Sequence, residues 1–364
     1  MTQPADLDTP RYPVRLVALR TGLSPHVLTN NLDVTVGGTL STGGLGVASW
    51  RYGSQADHCR EIEVVTGEGR LVRCSTSCNR ELFDAVRAGL GWFGVITEAT
   101  LELRRHKPNY YSFYLLYDAL PALFADLEKL IVEERFDYLE AWCAPLPQGF
   151  RKVKGAWQSF AEWFFPLRCT LEVGDADEGR IEEKLEGLNY YRHSHAEGGE
   201  IREFFKRLDP LFDLWKAGGF WTSAHPWVEG ILPWSSAGSC VSRVIERIPP
   251  SMLAGGHVLL WPARGAATSV PLLTRPRAEL VLGFGILPSV PKVLLDKVLP
   301  SLHASSEAMM AAGGKRYASG WLDFDAAGWE AHFGSQFAVI KELKAKFDPK
   351  EVFNGPFRGP SNSK

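Results

Sequence analysis

The chain has 364 residues, 45% of them apolar and 23% charged, with a formal net charge of −2. That length supports two or three domains with separate cores. The near-neutral balance offers no electrostatic footprint for nucleic acid or a membrane surface, and no run approaches the roughly 20 apolar residues of a membrane span.

The first eight residues lack the basic and apolar regions of a signal peptide. The six cysteines (59, 74, 78, 143, 169 and 240) contain no Cys-x-x-Cys pair. Both features point to a reducing, cytoplasmic setting rather than a disulfide framework.

In chain order, residues 36–46 read as a glycine-studded loop after a short apolar strand. Its bare backbone and the hydroxyls of Thr39, Ser41 and Thr42 suit close approach to a large polar cofactor. Residues 60–74 read as a β-hairpin around a Gly-containing turn. Asn79 is positioned to cap a helix whose stripe is Leu82, Phe83, Val86 and Leu90, with Gly89 near its stop. Residues 93–103 alternate, with Val95, Thr97, Ala99, Leu101 and Leu103 on one face and Glu98 and Glu102 on the other. From 109 to about 317 the composition turns aromatic. Strand-like runs such as 110–117 alternate with helices near 119–135 and 197–217, which predicts an antiparallel sheet with helices on one face. From Asp325 the spacing of Trp329, Phe333, Phe337, Ile340 and Phe347 predicts one amphipathic helix ending at Asp348-Pro349.

Several motifs carry less than their outline suggests. Gly89-x-Gly-x-x-Gly94 has the form of a dinucleotide fingerprint, but a helix precedes it and a strand follows, so it reads as a helix-to-strand turn. His193 and His195 lack a third metal ligand at structural-site spacing. There is no Gly-x-Ser-x-Gly elbow and no phosphate-binding P-loop. Glu140 sits in an apolar strand beside Trp142. A surface-facing acid is the default there, and a cleft-facing carboxylate is the alternative. His225-Pro-Trp227 is a rigid turn, equally suited to a structural role and to a ligand-stacking wall.

Residues 28–41, 63–67, 82–83, 89–97, 136–140, 225–227, Tyr317 and 348–355 together resemble the cytokinin dehydrogenases, within the vanillyl-alcohol-oxidase group of FAD-linked oxidases. Residues 28–41 and 82–83 are of types shared across that wide group. Phe136-Asp-Tyr-x-Glu140 and His225-Pro-Trp227 point to the cytokinin-dehydrogenase branch.

The resemblance implies an α+β protein: a PCMH-type FAD-binding domain represented by its second subdomain, and a substrate domain with an antiparallel sheet flanked by helices. The FAD part would span 1–105 and return at 318–364, around a substrate domain at 106–317. The resemblance implies flavin contacts from Thr35, Ser41, Leu45, Ile96, Tyr317, Asn354 and Phe357. It places Glu140 at the polar edge of the substrate and Trp227 and Glu229 in the substrate pocket. The implied chemistry is hydride transfer from an amine or alcohol carbon of a flat small molecule to FAD.

Three departures accompany it. The family's substrate-bonding aspartate is replaced by Asn30, which can accept a hydrogen bond but cannot act as a carboxylate base. Glu229 stands where the family has asparagine. The family's first FAD subdomain has no counterpart, and no Gly-x-Gly-His-Ser stretch carries its covalent-attachment histidine, so FAD is expected to bind non-covalently. Apolar surface at that face would call for a partner chain or oligomer. A non-catalytic small-molecule binder that has lost its flavin is the alternative.

Overall fold

The computed structural model describes residues 21–174, 180–253, 255–265, 268–353 and 355. The first region opens with β1 (Leu23–Pro25). The hairpin predicted at 60–74 forms as β2 (Cys59–Val65) and β3 (Leu71–Ser75). With β4 (Val95–Leu101) they make a three-stranded antiparallel sheet ordered β3-β2-β4, and β5 (Leu103–Arg105) pairs back onto β1.

The even alternation expected along 93–103 is broken by a bulge. Val64 faces Ile96 and Glu63 faces Glu98, leaving Thr97 as the extra residue. One inserted residue exchanges the faces of everything beyond it. Ile96 therefore packs with Ala99 and Leu101, while Val95 is 53% exposed. The Arg80–Val86 helix covers this sheet with Leu82 and Phe83. Residues 89–94 form the helix-to-strand turn that their order implied.

The glycine-rich stretch is a helix, Val36–Thr42, and not a loop, and no strand precedes it directly. Thr35 Oγ1 accepts from Gly38 N (3.1 Å), the N-cap bond that starts it. Ser41 Oγ donates to Gly37 O (2.8 Å) and Thr39 Oγ1 to Val36 O (3.0 Å), so two hydroxyls serve the helix's own backbone.

The second region is an eight-stranded, wholly antiparallel sheet. Its strands are β6 (Asn109–Tyr117), β7 (Tyr138–Val153), β8 (Ala156–Val173), β9 (Arg192–Glu200), β10 (Val228–Pro233), β11 (His257–Arg264), β12 (Leu280–Leu287) and β13 (Lys315–Arg316). Their order is β13-β10-β12-β11-β7-β8-β6-β9. The helices Leu120–Val132, Trp234–Ile245 and Leu295–Ala311 share a core with one face, built from Val258, Leu260, Phe284 and Ile286. The period of two turns Leu259 and Trp261 to the other face. The helix expected over 197–217 starts only at Ile201, because β9 continues to Glu200, and is divided into Ile201–Phe205 and Asp209–Ala217, the second opening with Pro210 in its first turn.

The tail is also two helices, Ala326–Phe333 and Gln336–Phe347, broken at Gly334, whose φ of 56° is left-handed. Phe333, Phe337 and Ile340 share a core with Leu82 and Phe83, and Lys344 Nζ donates to Trp92 O (2.9 Å). These two helices thus pack against the first sheet. No helix among the described residues is long and apolar enough to cross a membrane.

Candidate active site

A cavity of about 490 Å³ lies where the second face of the large sheet meets the Val36–Thr42 helix. The sheet contributes Glu229, Leu259, Trp261 and Leu287, and the Asp209–Ala217 helix contributes Leu211, Phe212 and Trp215. Asn30, Thr35, Gly38, Thr42 and Leu45 form the opposite side, and Tyr317 and Ser319 complete it. This volume and mix of aromatic walls with few polar groups are those of a small-molecule site.

Two close approaches shape it. A Cβ at Gly46 would lie 2.0 Å from Leu28 O, so only glycine lets the loop carrying Asn30 settle here. A Cβ at Gly283 would lie 1.9 Å from Trp261 Cε2, so the indole rests on bare strand backbone.

Glu229 is the buried carboxyl of the cavity. Ser319 Oγ donates to its Oε2, and the Arg316 guanidinium stands near. Burial outweighs both and raises its pKa to about 7. Burial also lifts Tyr317 to about 12, with the Glu229 charge adding to it, and the phenol oxygen accepts from Leu45 N (3.0 Å). Burial lowers His257, at the cavity wall, to about 4.

Glu140 is neither a surface acid nor part of the cavity lining. It lies directly across from Arg168 in the β7–β8 register and is 2% exposed. Arg168 Nη1 donates to Oε1 (3.1 Å), Arg207 Nε to Oε1 (2.7 Å) and Arg207 Nη2 to Oε2 (3.1 Å). Burial works against its charge, yet the two guanidinium groups hold its pKa below the ordinary value. Arg207 Nη2 also donates to Asn30 Oδ1 (2.9 Å), so the arginine bridges Glu140 to the cavity wall.

Of the other residues singled out in the sequence, Thr35, Leu45, Trp227 and Tyr317 meet in the cavity. Ser41 and Ile96 lie at the Val36–Thr42 helix outside the lining, where Gly37 packs against Ile96. Asn354 and Phe357 lie outside the described residues. Trp227 donates from Nε1 to Pro288 O (3.2 Å), and His225 stacks on Trp215 at 5.7 Å. His193 and His195 are exposed on β9, at the sheet edge.

A different trio, His26, His58 and Glu102, brings its ligand atoms within 4.8 Å of one another. The two imidazoles stack in parallel (4.1 Å, 6°), so their in-plane lone pairs do not converge, and Arg60 already pairs with Glu102.

Sequence reasoning missed Arg207, Trp215, His257 and Trp261. Phe212 and Trp215 share the helix spacing of ordinary core residues, and nothing local marks Arg207. One signal was present: Gly283 and Gly285 alternate inside an apolar strand, which marks a close approach from one face.

The family described as "Cytokinin dehydrogenase 1, FAD and cytokinin binding" matches residues 111–356, more than half of the chain, and an "FAD binding domain" family matches residues 14–75. The chain is 27% identical to the oxidoreductase ORF5 of the fasciation locus in Rhodococcoides fascians, over 92% of this chain and 74% of that protein. It is 28% identical to cytokinin dehydrogenase 4 of Oryza sativa subsp. japonica, over 92% of this chain and 67% of the relative. Among solved structures it resembles the VAO-type flavoprotein MtVAO615 from Myceliophthora thermophila C1. That match has a TM-score of 0.66 at 18% identity, covering 93% of this chain and 63% of that one, and it shows a shared fold.

The cavity fits the cofactor these families bind. Flat indole and phenol walls, the Thr35 and Thr42 side chains and bare backbone at Gly38 and Gly46 suit a planar heteroaromatic ring with a polar edge. By its family match and its α+β architecture, this chain belongs to the FAD-linked cytokinin dehydrogenase family of oxidoreductases.

Proposed function

We propose that the chain is an FAD-dependent oxidoreductase acting on a flat small molecule, whose amine or alcohol carbon gives up a hydride. The observation carrying this reading is the single cavity that unites Thr35, Leu45 and Tyr317 with Trp227 and Glu229. FAD, held non-covalently, supplies the hydride-accepting ring. The chain's own residues do the rest. Thr35, Leu45 and Tyr317 hold the flavin, with Ser41 and Ile96 supporting them from the helix and β4. Trp227 and the aromatic walls align the substrate plane and exclude water. Glu229 contacts the substrate's polar edge, where a carboxyl with a pKa of about 7 can hold or release a proton near neutrality. Glu140 acts from behind, through Arg207 and Asn30. Six free cysteines suit a cytoplasmic setting.

The test is to titrate the purified protein with FAD and then add flat alcohols and amines without oxygen. Bound flavin absorption that bleaches with one of them is the expected result. Failure of the protein to bind flavin at any concentration tried would overturn the proposal.

A further inference from the structure

We infer that position 30 is a hydrogen-bond donor in this chain, locked in that role by Arg207, so that the site selects a flat alcohol or carbonyl compound over the corresponding amine. The inference rests on reading the cavity as the substrate pocket. A guanidinium can only donate, so the Asn30 amide must turn its oxygen toward Arg207 Nη2 (2.9 Å). Among the described residues Asn30 makes no other side-chain hydrogen bond, which leaves its amide N–H groups for the cavity it lines.

Arg207 cannot swing away. Its Nε and Nη2 grip both oxygens of Glu140 (2.7 and 3.1 Å), and its guanidinium lies over the Phe204 ring at 4.7 Å. Nor does Glu140 lend the cavity a negative charge, because Arg168 joins Arg207 on it. With two guanidinium groups on its two oxygens, Glu140 has no acceptor left to offer an arriving donor behind Asn30. An amine in its ammonium form, which can only donate, meets N–H groups with N–H groups. An oxygen that accepts hydrogen bonds meets donors.

The experiment uses tryptophan fluorescence, since Trp215, Trp227 and Trp261 line the cavity. The full chain is titrated with two probes of matching shape, cinnamyl alcohol and cinnamylamine. At pH 6 Glu229 is mostly protonated and does not itself attract a cation. The alcohol should bind about tenfold more tightly, the usual cost of facing like with like at one buried hydrogen bond. Asn30→Asp, which offers only acceptors, should reverse that preference, and Asn30→Ala should bring the two affinities close together. Circular dichroism verifies that each variant folds, and the alanine variant carries the test if the aspartate does not.

Equal or amine-favouring binding by the unsubstituted protein, or an unchanged preference in Asn30→Asp, overturns the inference. FAD titration of the same samples separates the two levels. Flavin binding without a probe preference sinks only the polarity of position 30. Failure to bind either flavin or probe sinks the pocket reading beneath it.

Discussion

Trp261 and Gly283 face each other across β11 and β12, and the indole occupies the space that a side chain at 283 would need. One wall of the cavity therefore depends on the absence of a single methyl group from the neighbouring strand.

Gly283→Ala should accordingly push the indole off its seat. Overpacking of this kind costs about 1–3 kcal/mol, read as a lower denaturant midpoint, and tryptophan emission should shift as Trp261 moves. An unchanged midpoint together with unchanged emission would mean that the strand yields instead of the indole.

Glu229 makes stability depend on pH in a direction opposite to that of an ion-paired carboxylate. Its folded pKa of about 7 lies above the usual 4.5, so folding favours the protonated form. That advantage is full below pH 4.5 and is lost as pH rises through about 7. The separation corresponds to about 3 kcal/mol at most. Thermal melts of the protein and of Glu229→Gln should diverge over this interval, the glutamine variant being the less sensitive to rising pH. Parallel curves from pH 4.5 to 8 would contradict the burial argument.

Removing the Glu140 charge leaves two buried guanidinium groups without their anion. Glu140→Gln should cost about 3–5 kcal/mol in urea unfolding, far more than an exposed acid would. A loss below about 1 kcal/mol would show that water compensates the arginines.

Thr35→Ala removes the acceptor for Gly38 N at the start of the Val36–Thr42 helix. The expected loss is about 1 kcal/mol, with weaker flavin binding, and Thr35→Ser should restore both. Rescue of stability without rescue of flavin binding would show that the flavin contact of Thr35 needs its methyl group as well as its hydroxyl.

Much of this architecture was legible in the sequence because local rules governed it. The 60–74 hairpin, the helix beside Asn79 and the turn at 89–94 follow from turn residues and periodicity. The glycine-rich segment was misread because glycine is a poor helix former and the cap at Thr35 outweighs that preference. The break at Gly334 hid inside an unbroken apolar period, and the bulge at Thr97 hid inside an unbroken alternation. Of the residues expected at the site, Thr35, Leu45, Trp227, Glu229 and Tyr317 line one cavity. Glu140 was expected at the substrate's edge and instead lies behind the cavity wall, with partners the sequence hid, because Arg207 is 67 positions away from it and 177 from Asn30. No local pattern encodes a link of that span.

The same span has a kinetic consequence. The contact of Arg207 with Asn30 closes a loop of 177 positions, and it requires β7, β8 and the 28–31 segment to be in place already. Contacts of such separation form late, after the entropy of closing the chain has been met by nearer pairings. The pocket should therefore gain its selectivity last. During refolding, secondary structure should return well before the ability to tell one probe from another.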